Sequence, residues 1–136
     1  MVGHSGPTMK IRLKDGLPYI TTSLTLRGQQ LMLNNVLLDT GSVGTILSTD
    51  SVLAVGLQYE ADDIVHRIRG VGGAEFVFTK KVDLLSVGEL QVTDFEIEVG
   101  GMDYGFEIDG IIGMDFLKLA QLLTWPAWRS TRLCIE

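Results

Sequence analysis

The sequence predicts an all-β fold, a small closed barrel-like or sandwich arrangement of short strands with one short C-terminal helix. Two observations predict it. Apolar side chains fall on alternate positions in Ile20-Thr21-Thr22-Ser23-Leu24-Thr25-Leu26 and again in Phe95-Glu96-Ile97-Glu98-Val99. That two-residue period is the mark of a half-buried strand, and it sets both glutamates of the second segment on the wet face. Glycines punctuate many such short segments, while no long helical period, repeat or low-complexity linker intervenes.

In chain order, residues 1–10 read as a disordered leader or an expression remnant, with Met9 as an alternative start, and residues 11–136 as one domain. The first eight residues lack the apolar core of a signal peptide. The strand Ile20–Leu26 ends at the turn signal Gly28. A second apolar stretch, Leu31 to Leu38, is interrupted by Asn34-Asn35 and runs into Asp39-Thr40-Gly41-Ser42. Thr45-Ile46-Leu47 reads as a short strand, after which Ser48 or Thr49 would cap a short helix ending at Gly56. Ile64 to Arg69 and Ala74 to Val82 are strands joined by Gly70-Val71-Gly72-Gly73, a β-hairpin. Ile108 to Ile112 is a short buried strand. Asp115 to Gln121 is a helix of about two turns with Asp115 as its cap, and Arg132 to Ile135 is a last strand.

Composition narrows the function. A chain of 136 residues is the size of one compact domain. Its formal net charge of -6, with no visible basic patch, excludes a general nucleic-acid binder. Cys134 is the only cysteine, so no intrachain disulfide forms, which fits a reducing, cytoplasmic compartment. No apolar stretch is long enough to span a bilayer. His4 and His66 have no partners at metal-ligand spacing. Asp103, Asp109 and Asp115 fit no calcium loop, although a metal-binding β domain built on the scattered aspartates is a rival reading. The glycine run at 70–73 precedes no helix, which argues against a phosphate loop. Trp125 and Trp128 flank Pro126 and read as core or interface anchors.

The chemistry starts at Leu37-Leu38-Asp39-Thr40-Gly41-Ser42. A carboxylate directly after an apolar strand sits at the edge of the core. Gly41 allows a sharp turn there, and the Thr40 and Ser42 hydroxyls can bond nearby backbone or carboxylate oxygens. Read alone, the tetrapeptide is equally an Asx-type turn. Two further features bear on it: the glycine hairpin around 70–73, and the downstream Ile111-Ile112-Gly113.

In this order the three motifs resemble the retropepsin-like aspartic proteases, whose pattern is an Asp-Thr/Ser-Gly loop, a mobile hairpin flap, and an apolar-apolar-Gly segment beneath the loop. Thr45-Ile46-Leu47 matches the family's Thr-apolar-Leu strand. Ile111-Ile112-Gly113-Met114-Asp115-Phe116-Leu117 is similar to the Gly-x-Asp-x-Leu ending of bacterial and retrotransposon-like members. The likeness runs from about Leu17 to Gln121.

The resemblance implies an acid-protease fold assembled as a two-fold homodimer, because the chain carries one Asp-Thr-Gly and such chemistry needs two carboxylates sharing a proton. It implies a peptide-bond hydrolase needing no metal or cofactor, acting on a polypeptide held in extended form. Asp39 would be catalytic. Thr40 would lock the two loops together, Gly41 would let substrate backbone approach, and Ser42 would support the carboxylate. Arg69, Gly70, Val71, Gly72 and Gly73 would form the flap, with Val71 at its tip, and Ile112 would line the substrate site. Arg132 to Glu136 would stand where viral members interleave their termini across the dimer. A catalytically weak peptide-binding or dimerisation module on the same fold is the alternative.

Two features depart from the pattern. The stretch between Gly41 and the hairpin, which holds Asp62, Asp63 and His66, is longer than in compact viral enzymes, and Leu123-Thr124-Trp125-Pro126-Ala127-Trp128 is unusual for the family.

Overall fold

A computed structural model describes residues 8–70, 73–102, 106–123 and 132–135. The chain runs β1 (Thr8–Lys14), β2 (Leu17–Leu26), β3 (Gln29–Leu38), β4 (Ile46–Ser48), α1 (Thr49–Val52), a 3-10 turn (Leu53–Val55), β5 (Val65–Gly70), β6 (Gly73–Val87), β7 (Leu90–Gly100), β8 (Gly110–Ile112), α2 (Met114–Leu123) and β9 (Arg132–Ile135). The fold is mostly β, as the alternating pattern predicts.

Tight turns join the first strands. Asp15-Gly16 and Arg27-Gly28 all take positive φ, the conformation that two-residue hairpin loops require. The strands form one sheet in the order β5-β6-β7-β4-β8-β3-β2-β1-β9. A further pairing of β6 with β2, from Thr22↔Val87 to Thr25↔Leu84, makes the ladder return on itself. Six strands, β6-β7-β4-β8-β3-β2, therefore stand in a closed hydrogen-bonded circuit, with β5 and the β1–β9 pair outside it.

One face of this circuit holds the core: Ile20, Leu24, Val36, Leu47, Val82, Leu85, Ile97, Val99 and Ile112 are fully or almost fully buried. Helix α2 closes it with Phe116, whose ring meets Phe95 of β7 edge to face at 5.6 Å. No helix among the described residues is long and apolar enough to cross a membrane.

The structure corrects several sequence expectations. Thr8–Lys10 are part of β1 rather than of a leader, because Met9 and Ile11 are buried in the core. Arg132–Ile135 do form a strand, but it pairs in parallel with Thr8–Ile11 of the same chain. Ser48 provides no side-chain cap to α1. Gly56 does end that segment in the left-handed conformation, its N–H bonded to the Leu53 carbonyl. Trp125 and Trp128 lie outside the described residues.

Candidate active site

The site is built where three short elements meet. Strand β3 pairs in parallel with β8, Leu37 beside Ile111 and Leu38 beside Ile112. Strand β4 lies on the other side of β8, with Ile46 beside Ile111. Asp39 leaves the end of β3, and its N–H donates to the Ile112 carbonyl at 3.0 Å. The loop then folds on itself. The Ser42 N–H donates to the Asp39 carbonyl at 3.1 Å, and the Gly41 N–H donates to Asp39 Oδ1 at 2.9 Å. Asp39 and Thr40 remain exposed, so the carboxylate is held by backbone and open to solvent.

Ser42 does not support that carboxylate. Its hydroxyl donates to the Gly44 carbonyl at 2.8 Å, tightening the loop one turn further on. The support expected of Ser42 comes from the Gly41 amide.

Beneath the loop, residues 113–115 act as a clamp. The N–H groups of Met114 and Asp115 donate to the carbonyls of Ser42 and Val43, at 2.8 and 3.0 Å. These are orphan donors of the first turn of α2, and the loop carbonyls satisfy them. Asp115 accepts from the Thr45 hydroxyl at 2.7 Å and from the Thr45 N–H at 3.1 Å. The Thr45 hydroxyl in turn accepts from the Gly113 N–H at 3.1 Å. Asp115 thus reaches across to the loop as well as bonding the Phe116 N–H within its own helix. A Cβ on Gly113 would stand 2.4 Å from the Gly44 carbonyl oxygen, so only glycine permits this approach.

Ile112 does not line a cleft. Its side chain is 0% exposed and belongs to the core. Alternation along β8 turns its neighbour Ile111 to the opposite face, where Ile111 is partly exposed beside Leu37 and Ile46.

The predicted hairpin is present as β5 and β6, paired from Val65↔Phe78 to Gly70↔Gly73. The backbones of Arg69, Gly70 and Gly73 fall in these strands, and Val71 and Gly72 lie outside the described residues. The preceding segment is anchored to β6 by Lys80, which bonds Glu60 at 2.7 Å and Asp63 at 2.9 Å.

One group escapes sequence reasoning. Glu98 of β7 pairs with Ile46 of β4 and Thr79 of β6. Its carboxylate is half-buried rather than on an open wet face, and Oε1 lies 3.5 Å from where a Cβ on Gly44 would stand. Burial pushes the Glu98 carboxyl above its ordinary range. His66 draws it back, and the charges of Asp115 and Glu96 raise it further. Alternation correctly turned Glu98 away from the core; only the β4–β7 pairing reveals that the Asp39 loop lies beside it.

The aspartate readings for a metal end differently. Asp109 is occupied by the Ser51 hydroxyl and the Asn35 N–H, and Asp115 by Thr45. Asp103 lies outside the described residues. Among the described residues no three His, Cys, Asp or Glu side chains gather into a metal-holding group.

Comparison with known proteins accords with this geometry. Residues 22–116 match the family described as "Aspartyl protease". The chain belongs to the aspartyl protease family. Among solved structures, a retropepsin-like aspartic protease from Rickettsia conorii is similar, with a TM-score of 0.58 and 17% sequence identity, over 79% of this chain and 82% of that one. The family member described here therefore shares the retropepsin-like fold. No curated protein sequence gives a match.

Proposed function

We propose that this aspartyl protease family member is an endopeptidase whose active site is completed by a second copy of the chain, with Asp39 contributed by each. The observation that carries the reading is the Asp39 carboxylate. It is exposed at the end of a strand, pinned by the Gly41 N–H, on a loop clamped from below by α2.

Two such carboxylates at a two-fold axis would share one proton, since both cannot ionise a few ångströms apart. The ionised one takes a proton from water as that water attacks the peptide carbonyl. The protonated one hydrogen-bonds the carbonyl oxygen and stabilises the tetrahedral intermediate. The loop presents Thr40 and Val43, the latter 85% exposed, where a symmetry mate would cover them. Thr40 then bonds across the axis. The β5–β6 hairpin serves as the flap over an extended peptide, and Ile111 rather than Ile112 offers an apolar contact on the cleft face.

The test is a peptide-library cleavage assay at several protein concentrations from acidic to neutral pH, with Asp39→Asn in parallel. Cleavage that rises faster than linearly with concentration and vanishes in Asp39→Asn is expected. Cleavage that persists in Asp39→Asn, or that belongs to a monomer, overturns the reading.

A further inference from the structure

We propose that Glu98 is a specificity-determining residue of the cleft, selecting substrates that carry a lysine or arginine side chain near the scissile bond. The inference rests on the endopeptidase reading above and adds to it the chemical class of substrate.

The placement of the carboxylate is the first ground. Strand β7 is the element between the floor loop and the hairpin: it pairs in parallel with β4, which follows the Asp39 loop, and antiparallel with β6, the second hairpin strand. Glu98 is the residue in register with both Ile46 and Thr79. Directly paired residues share a face, so Glu98 stands with Ile46, Ile111 and Thr79 on the side opposite the core. His66 of β5 reaches the same place, its Nε2 3.1 Å from the Thr79 hydroxyl. On the floor side Gly44 has no side chain to cover the Glu98 oxygen, which would lie 3.5 Å from a Cβ there. A peptide lying between hairpin and loop passes this carboxylate.

The second ground is that the carboxylate is costly where it is. It is half-buried, and among the described residues it holds no hydrogen bond or salt bridge. A partly desolvated carboxylate that no donor bonds directly is less favourable than one in water, and a cationic side chain arriving from the substrate would supply a direct partner. The surrounding charges point the same way. From β7 itself Glu96, and from α2 Asp115, add negative potential. Against them stand His66 from β5 and Lys81 from β6, the latter in register with Glu96 on the same face, while Thr79 of β6 and Ile46 of β4 are uncharged. Three carboxylates, Glu98, Glu96 and Asp115, against Lys81 and His66 leave the local field negative, which favours a cation. Because the proposed axis repeats the group, the preference should appear on both sides of the cut.

The test uses the full chain and paired extended peptides that differ only by lysine, norleucine or glutamate, scanned through the positions flanking the cut. For wild type, kcat/KM for the lysine peptide should exceed that for its norleucine twin about tenfold or more at one position on each side, and the ratio should grow as pH rises. In Glu98→Gln the ratio should fall to near one, and in Glu98→Lys the glutamate peptide should become the preferred one. Binding of the same peptides to Asp39→Asn and to the Asp39→Asn, Glu98→Gln double variant separates this inference from hydrolysis. A lysine preference in binding without any cleavage sustains Glu98 as the selecting group and overturns the endopeptidase reading. Cleavage without a lysine preference, or with one that Glu98→Gln leaves intact, overturns the inference alone. Neither binding nor cleavage of any peptide overturns both.

Discussion

Asp115 grips Thr45 at two points, accepting from its hydroxyl at 2.7 Å and its N–H at 3.1 Å, seventy residues apart in sequence. Through that grip the first turn of α2 sets the exit of the Asp39 loop. Asp115→Ala leaves the Thr45 N–H and hydroxyl without their acceptor, a loss worth about 1–3 kcal/mol for partly buried groups. Asp115→Asn keeps an acceptor and should recover part of it. Thermal melts of the two variants check the order. Cleavage should fall further than stability alone explains, because the loop carrying Asp39 loses its lower support.

Gly113 supplies the close approach on which that grip depends. An added Cβ meets the Gly44 carbonyl oxygen at 2.4 Å and the Ser42 carbonyl oxygen at 2.8 Å, both rigid backbone atoms. Gly113→Ala must therefore push the loop away from α2. The expected cost is about 1–3 kcal/mol, as for overpacking a tight site. Peptide cleavage should be reduced a hundredfold or more in a protein that remains folded at room temperature. A Gly113→Ala protein with wild-type kcat/KM would contradict the geometry.

Much of this was legible in the sequence because it is local. The alternation at Ile20–Leu26 and Phe95–Val99 gave the strands, and Gly70 and Gly73 do end paired strands of a hairpin. Asp39 is placed at a strand end by nothing more than the apolar run before it. What was not legible depends on partners distant in sequence. Ile111 and Ile112 are indistinguishable as letters; that Ile112 faces the core and Ile111 the opposite side follows from the parallel register with Leu37 and Leu38. Ser42 was expected on the carboxylate and is on Gly44, since the turn leaves its hydroxyl nearer that carbonyl. Strand β1 carries the same alternation in short form, apolar Met9, Ile11 and Leu13 against charged Lys10, Arg12 and Lys14, and its pairing with β2 and β9, distant in sequence, is what sets it apart from an extended leader.

Thr22 is a buried hydroxyl at an irregularity in β2, where the register against β3 shifts between Ile20 and Thr22. Its Oγ1 has no hydrogen-bond partner among the described residues, although the residue is 0% exposed. An unsatisfied buried hydroxyl costs about 1–3 kcal/mol, and valine has nearly the same shape. Thr22→Val should therefore leave stability unchanged or raise it by about 1 kcal/mol, read as an increase in the denaturation midpoint without a change in slope. A clear loss of stability would show that the hydroxyl has a partner.

Glu98 ties stability to pH. Burial raises its carboxyl above the ordinary value of 4.5 in the folded protein, with His66 opposing and Asp115 and Glu96 reinforcing. The folded state then holds the proton more tightly than the unfolded state. Its contribution is fully present below about pH 4.5 and is lost as pH rises through the raised folded value. Glu98→Gln removes the ionisable group, so its melting temperature should exceed that of wild type at pH 7, and the gap should close toward pH 4. A gap that widens on acidification would mean that ionised Glu98 is stabilised.

The Lys80 triad behaves in the opposite sense and governs the base of the hairpin. Burial alone would raise Asp63, but the hydrogen bond from Lys80, the Glu60 N–H and the Lys80 charge together bring it below its ordinary 3.8. Stability from this carboxylate is present above about pH 3.8 and lost as pH falls through the depressed value. Lys80 is itself raised above 10.5: burial opposes this, and its bonds to Glu60 and Asp63 prevail. Its contribution persists below pH 10.5 and fades as pH rises through the raised value. Lys80→Met should therefore speed amide exchange across residues 60–65 between pH 5 and 8, with little effect on the core strands. As the solution is acidified below pH 4, wild type should come to resemble the variant. Equal exchange of wild type and Lys80→Met at pH 7 would show that the ion pairs do not hold the segment leading into β5.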